Sequence, residues 1–554
     1  MPSNHNQSSR RSSNLRIKSE NDNFAVSREV GKMNDFHLAS LLDPAAYPEP
    51  VTCVQMLQTH ISWIFLTDTH AWKIKKPVNF GFLDFSTPEK RLFYCNEELR
   101  LNRRLSPDMY EAVVELIETE EGKAAFHGKG KVIDHAVLMK RLPADRMFDR
   151  LIDENRIGDM EIDTLSSIVA DFHKNAASSE KISEYGRLEN IRLNWQENFD
   201  QVVQFGKSTL PEDERLFISR WVDRFIRKNA RLLSERVEKG YIRECNGDMH
   251  LENISLAERG ILIFDCIEFN ERFRCCDTVA DIAFLLMDLD FHKRPDLSEK
   301  FLAGYRIKSG DDFPQELLVF YKIYRSFVKG KVESFRLNDP GISEKEKREA
   351  AEKGRRYFRL SRGYIEKTEL KPTLFITCGL TGSGKSRVTE ELSFELCIKK
   401  FSSDLIRKEM AGIPAISPQF DDFGKGLYSD AMTERVYDRL AEHAEQELSS
   451  GRSLIVDASF IRRADRLRFS SIASVQKAGF LVLYLECDEA ENISRLQRRS
   501  KLGNSVSDGR VEILGSQRMK FEPPVEAEES RMIKLDSGRN LHMLLNSIYE
   551  RLHL

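Results

Sequence analysis

Two stretches of this chain carry residue types at spacings that suit the handling of phosphate. In the first, Cys245-Asn246-Gly247-Asp248-Met-His250-Leu-Glu-Asn253-Ile, an aspartate and an asparagine stand five apart, and the apolar run Ile261-Leu-Ile-Phe then ends in Asp265. That pattern serves phosphoryl transfer: Asp248 orients or deprotonates an acceptor hydroxyl, while Asn253 and Asp265 hold Mg²⁺ against nucleotide phosphates. A solvent-facing polar turn before a hairpin is the alternative reading of the same residues. In the second, Gly379-Leu380-Thr381-Gly382-Ser383-Gly384-Lys385-Ser386 follows the apolar run Thr373-Leu-Phe-Ile-Thr. Glycines there let backbone N–H groups turn toward phosphate oxygens, Lys385 reaches the outer phosphates, and the Ser386 hydroxyl can ligate Mg²⁺.

Elements around the glycine-rich loop follow from periodicity. Strands are expected at 373–378, 400–403, 453–457, 480–486 and 531–535, with helices between them, the pattern of a parallel sheet covered by helices. The helix over 434–449 has Val436, Leu440, Ala444 and Leu448 on one face. It leads into Leu454-Ile-Val-Asp457, whose terminal acid is the candidate second magnesium-orienting carboxylate, or a cap for the next turn. Asp404, with Arg407 and Lys408 one turn on, is a candidate base for an attacking hydroxyl; an N-cap with solvated cations is the competing reading. Arg495-Leu-Gln-Arg498-Arg499 precedes a Gly- and Ser-rich run, 502–509, as in a mobile lid whose arginines, Arg498 and Arg499 foremost, neutralise charge on a transferred phosphoryl. A charged surface helix is the alternative.

Upstream, paired strands over 64–74 end near Lys73, the candidate to grip the α and β phosphates of a nucleotide, with Lys75 its competitor on the same strand face. Glu97 or Glu98 on the following helix can pair with that lysine, or form a surface charge pair. Ala136-Val-Leu-Met-Lys-Arg-Leu-Pro143 reads as a strand breaking into a hinge whose backbone binds adenine. His173 falls at core spacing with Leu165, Ile168 and Phe172, as a buried structural histidine does.

A length of 554 residues calls for two or more domains. With 41% hydrophobic and 31% charged residues and a net charge of −3, nothing marks a global nucleic-acid or membrane binder. The apolar run 282–287 is too short to span a bilayer. Nine cysteines without a CxxC pair fit reduced thiols in a cytoplasmic protein. Residues 1–34 read as a disordered tail without a signal-peptide core. Domains are expected over 35–337 and 372–554, joined by a charged, solvated helix over 338–371.

These residues resemble known families. The glycine-rich loop, Ser-Asp404-Leu-Ile-Arg-Lys, the Val-Asp457 strand and the arginine-rich lid are similar to small P-loop kinases of the predicted-kinase or zeta-toxin-like type, over 372–554. That resemblance implies an α/β P-loop fold and transfer of phosphate from ATP to a hydroxyl, with Asp404 as base. Polynucleotide-end kinases share the arrangement, so nucleic acid stays open as an acceptor there. The first half, over residues 50–335, resembles the aminoglycoside phosphotransferase branch of the α+β protein-kinase-like fold, with 246–254 matching its catalytic loop, Asp265 its metal-binding acid and Asp281 the helix acid that braces the loop. Asn246 stands where that family has histidine, and Gln58-Thr-His60-Ile-Ser62 where it has a glycine-rich loop. The module order resembles bacterial proteins labelled bifunctional aminoglycoside phosphotransferase and ATP-binding protein. It implies a tandem kinase using ATP and Mg²⁺ on small-molecule hydroxyl substrates; a kinase-like sensor regulating the P-loop half is the alternative. Protein partners are left open by the sequence.

Overall fold

The computed structural model describes residues 33–414, 426–502, 510–524 and 531–553. Of the expected tail, all but Met33 and Asn34 lies outside them, as do residues 503–509 of the expected lid. The described residues form two compact units: 33–95 with 113–138, and 96–112 with those from 139 onward.

The first unit is built on a six-stranded sheet of order β1-β2-β3-β6-β4-β5, with β1 Gln55–Gln58, β2 Ser62–Leu66, β3 His70–Lys75, β4 Tyr110–Glu118, β5 Ala124–Ala125 and β6 Lys131–Lys140. Helix α1 (Pro88–Asn102) follows β3. Phe65, Trp72, Ile74, Leu116, Ile133 and Ala136 make its core. A buried ion pair, Arg91 Nε to Asp134 Oδ2 at 2.8 Å, ties α1 to β6.

The second unit holds the Asp248 segment. Short antiparallel ribbons position it: β7 (Ile242–Glu244) pairs with β10 (Cys275–Asp277), and β8 (Ile254–Ala257) with β9 (Gly260–Ile263). The loop 245–253 runs from β7 to β8, and Asp265 comes just after β9, so the pairings put both segments on one scaffold. Around them pack α2 (Asp159–Asn175), α3 (Thr278–Phe291) and α4 (Gln315–Phe335). Helix α3 is buried at every position, which explains why its sequence is apolar almost all round.

Residues 338–371 do not form a solvated linker. They form α5 (Glu344–Glu369), started by a capping box between Ser343 and Glu346, with Ala350, Gly354, Tyr357, Phe358, Ser361, Tyr364 and Ile365 buried. The buried stripe keeps helical spacing, but it is made partly of Ala, Gly and Ser between charged neighbours, so the segment reads as polar. Small residues there allow close approach: a Cβ on Gly330 of α4 would lie 2.9 Å from the Phe358 ring.

Beyond α5 comes a five-stranded parallel sheet of order β12-β13-β11-β14-β15, with β11 Thr373–Cys378, β12 Lys399–Ser402, β13 Leu454–Asp457, β14 Gly479–Glu486 and β15 Met532–Asp536. All five agree with the sequence reading to within a residue or so at each end. The glycine-rich loop joins central β11 to α6 (Lys385–Leu396). Helices α7 (Ser403–Met410), α8 (Asp430–Ser449), α9 (Glu489–Leu502), α10 (Val511–Lys520) and α11 (Leu541–Leu552) complete this part. The chain is thus an α+β part followed by an α/β part in which a glycine-rich loop leaves the central strand of a parallel sheet, the two classes expected.

The P-loop part is seated on α5 through α6. Phe394 of α6 joins the same apolar cluster as Phe291, Tyr357 and Tyr364, a burial worth about 1.5–3 kcal/mol. Beside it Arg359, 3% exposed, donates to Glu395 through Nε and Nη2, both at 2.8 Å, and to Glu214 at 2.6 Å and Asn546 of α11 at 2.7 Å. Removing the guanidinium leaves buried Glu395 with only the Tyr549 hydroxyl, at 2.5 Å, and Glu214 with only the more distant Arg362, at 3.5 Å, so Arg359→Met should destabilise this unit by about 3–5 kcal/mol in chemical denaturation; a loss below about 1 kcal/mol would contradict the packing described.

Candidate active sites

In the kinase-like half, the loop 245–253 is pinned at several backbone and side-chain groups, although buried Asn246 Nδ2 and His250 Nδ1 have no hydrogen-bond partner. Buried Asp281 of α3 accepts from Gly247 N at 2.7 Å and Asn246 N at 3.2 Å, and it meets His173 Nε2 of α2 at 3.1 Å. Tyr305 Oη closes the other side of that imidazole at 2.8 Å. Arg325 of α4 donates to Gly247 O at 2.9 Å, and Asp248 N donates to Asn246 Oδ1 at 2.9 Å. His173 is therefore a buried structural histidine whose partner is the acid that braces the loop.

Asn253 Nδ2 donates to Asp248 Oδ2 at 3.0 Å, which leaves the Asn253 amide oxygen to face a cation. Burial opposes ionisation of Asp248, but His250, Lys329 and Arg325 outweigh it and hold the carboxyl below its ordinary range. Asp265 adopts φ 57°, a left-handed conformation that costs a non-glycine residue about 1–3 kcal/mol and clusters at functional sites. The surroundings impose it: Phe264 N donates to Asn253 O at 3.0 Å, Asp265 N to Tyr110 Oη at 3.3 Å, and Ile267 N to Asn246 O at 3.1 Å. The donor set Asn253 and Asp265, one amide oxygen and one carboxylate, suits a hard cation such as Mg²⁺.

Lys73 and Lys75 both lie buried on β3 in the first unit, and Lys75 Nζ sits 4.8 Å above the Phe85 ring. In the second unit Glu97 is engaged by Arg100 at 2.9 Å, and Glu98 is wholly buried. The turn 59–61 between β1 and β2 contains no glycine.

In the P-loop half, Gly379, Gly382 and Gly384 take φ of 143°, 78° and 92°. Side chains there have no room: a Cβ on Gly379 would lie 2.6 Å from Leu485 O, and one on Gly382 2.1 Å from Asn492 Oδ1. Lys385 Nζ donates to Gly379 O at 2.9 Å and Leu380 O at 2.7 Å, folding back across its own loop, while Ser386 is exposed. Desolvation pulls the Lys385 ammonium below its ordinary value against the attraction of Asp457 and Asp404. Those two acids flank the loop: Asp457 ends β13 opposite Ser402 of β12, and Asp404 sits on the first turn of α7. The hydroxyl of Ser386 and the carboxylate of Asp457 are oxygen donors of the kind that could ligate Mg²⁺.

Thr381 N donates to Gln517 Oε1 of α10 at 2.8 Å. A cavity of about 470 Å³ opens beside the loop, lined by Leu380, Ser383, Tyr484, Asn492, Phe521 and Asp536 among others. Buried Ser383 Oγ and Asn492 Oδ1 on its wall have no hydrogen-bond partner, as expected of groups that await a ligand. Glycines that no side chain can replace, a lysine held by carbonyls alone and these orphaned oxygens together fit a nucleotide.

The lid arginines sort by helix face. Arg499 is half-buried and feels the charge of Asp404, whereas Arg498 is exposed and is not brought to the site. Arg495, not singled out from sequence, takes the inward place: it donates to Ser537 Oγ and O, both at 2.9 Å, and its Nη1 would touch a Cβ on Gly384 at 3.3 Å. The i,i+4 spacing of Arg495 and Arg499 was the available signal. Arg407 is not a free anion clamp either. It is buried under Tyr428, its guanidinium 4.8 Å from the ring, and donates to Leu427 O at 2.8 Å. Gln517, Asn492 and Ser537 had no signal, because their contacts are set by tertiary packing.

A family model described as an AAA domain matches residues 374–524. An uncharacterised protein of Mycobacterium tuberculosis is 28% identical over 407 residues, covering 74% of this chain and 78% of its own. Among solved structures, a gluconokinase from Sinorhizobium meliloti is similar over 33% of this chain and 92% of its own, with 21% identity and a TM-score of 0.25. A choline/ethanolamine kinase family protein from Mesorhizobium loti is similar over 58% of this chain and 90% of its own, with 13% identity and a TM-score of 0.34. No helix among the described residues is long and apolar enough to cross a membrane.

Since a methyl on Gly382 meets both Asn492 and a left-handed backbone, Gly382→Ala should weaken a fluorescent ATP analogue at the P-loop about tenfold or more in titrations of an Asp265→Asn chain. Unchanged affinity would show that the loop does not seat the nucleotide.

Proposed function

We propose that this protein is a tandem ATP-dependent phosphotransferase, with one site in each half moving the γ-phosphoryl group of ATP to a hydroxyl of a small molecule. The observation that carries the reading is the intact set in the kinase-like half: Asp248 bonded to Asn253, with Asp265 held in a costly left-handed conformation beside them. Strain of that kind is kept where it is used.

In the kinase-like half Asp248 holds the acceptor hydroxyl and takes its proton. The acceptor oxygen bonds to the γ-phosphorus, the bond from that phosphorus to the β-phosphate oxygen breaks, and ADP leaves. Asn253 and Asp265 would hold Mg²⁺. In the P-loop half the loop amides and Lys385 grip the outer phosphates, Asp404 takes the acceptor proton, and Ser386 with Asp457 would hold the metal. Arg499 and Arg495, rather than Arg498, neutralise charge on the transferring group. Mg²⁺, when bound, offsets the negative charge of the nucleotide phosphates at both sites.

A second reading, in which the kinase-like half binds nucleotide as a sensor and only the P-loop half turns over, is favoured by the glycine-free turn 59–61. Mass spectrometry of products formed from ATP and a pool of sugars, nucleosides, aminoglycosides and other hydroxyl metabolites separates the two. Asp248→Ala and Lys385→Ala should each abolish a different product, by about a hundredfold or more. Products lost only with Lys385→Ala would establish the sensor.

A further inference from the structure

One residue of helix α5, Tyr357, is linked to both sites through short chains of contacts. Between Asp248 and Asn253, Leu251 N donates to Asp288 Oδ2 at 2.9 Å, and the other oxygen of that carboxylate accepts from Tyr357 Oη of α5 at 3.4 Å. Leu251, Asp288 and Tyr357 are 0%, 2% and 1% exposed, so no water competes for these bonds. The Tyr357 ring also stacks on Phe291, centroids 3.9 Å apart and planes 16° from parallel, and Phe291 meets Phe394 of α6 edge-on at 5.8 Å. Two residues beyond Tyr357, Arg359 forks Glu395, the neighbour of Phe394. At its other end α6 begins with Lys385 and Ser386 of the phosphate loop.

Every link in this chain is either buried and charged or a close ring contact. Burial pushes the Tyr357 phenol well above its ordinary value, helped by Asp288, Glu252 and Glu333, so it stays a proton donor across the working pH range. Helix α6 has twelve residues and spans about 18 Å, short enough to move as a rigid rod. Interiors packed to this density shift between discrete arrangements rather than deform smoothly. Clamped to α5 at Glu395, α6 would answer phosphate at its N-terminus by pivoting there, which turns Phe394 against Phe291 and Tyr357 and, through Asp288, bears on the amide of Leu251.

We propose that Tyr357 is a positioning residue shared by the two sites, through which nucleotide bound at the P-loop alters the mobility of the catalytic loop 246–254. The proposal rests on the reading of both halves as nucleotide sites. Its physical content is one donor whose bond must be kept or lost as α6 moves, and no contact with substrate is required of it.

Amide hydrogen exchange of the full chain carrying Asp265→Asn, with and without Mg²⁺ and a non-hydrolysable ATP analogue, tests it. Binding should slow exchange over 379–390 and change exchange over 246–254 at least twofold. Adding Tyr357→Phe, which keeps the ring and its stack, should leave the 379–390 response and abolish the one at 246–254. A response at 379–390 with none at 246–254, or one that survives Tyr357→Phe, overturns the coupling. So does a response at 246–254 that survives Lys385→Ala, because the analogue then acts at the kinase-like half directly. No response at 379–390 would instead overturn the functional reading of the P-loop, and this proposal with it.

Discussion

A guanidinium buried between two carboxylates is the constraint on which the second unit rests. Arg359 reaches Glu395 at the end of the P-loop helix and Glu214 in the kinase-like half, and at 3% exposure none of these charges can be left alone. Such a pair adds little net stability over an apolar replacement, but it tolerates no misplacement, because each unpaired charge would cost several kcal/mol. Its consequence is registry. The helix that opens with Lys385 and Ser386 has its far end fixed on α5, and Gly363 of α5 approaches so closely that a Cβ there would lie 1.9 Å from Glu395 O. The P-loop part is thus built onto the kinase-like half rather than strung after it.

The same logic organises the loop 245–253. Two acids of α3, Asp281 and Asp288, reach it from beneath and take up three of its amides, at Asn246, Gly247 and Leu251. Arg325 of α4 holds the Gly247 carbonyl. A loop fixed at so many points can carry the strained Asp265 segment against it, and low dielectric strengthens every bond in the network. Asn246 belongs to this network through its backbone amide and carbonyl, while its side-chain oxygen caps Asp248 N.

Much of this was legible in the sequence. Most of the five parallel strands stood out as short apolar runs, β12 with its Lys-Lys-Phe-Ser sequence excepted, and the glycine-rich loop because its glycines need backbone angles that other residues avoid. Asp248, Asn253 and Asp265 fell at a spacing that a loop followed by a hairpin fixes locally. What escaped was tertiary. The buried stripe of α5 hid behind Ala, Gly and Ser, and Arg359 looked like one more surface cation among Arg355, Arg356 and Arg362. Arg407 carried the right charge at the right place but is consumed by Tyr428 and Leu427, which only folding reveals. Among the arginines of the run 495–499, only helical phase separates the inward Arg495 and Arg499 from exposed Arg498.

The central claim is that one chain carries two nucleotide sites, and its most direct test is the stoichiometry of binding. Calorimetric titration of the wild-type chain with Mg²⁺ and a non-hydrolysable ATP analogue should give two molecules bound, falling to one in Asp265→Asn and to one in Lys385→Ala. A stoichiometry of one in the wild type, untouched by Asp265→Asn, would contradict the account.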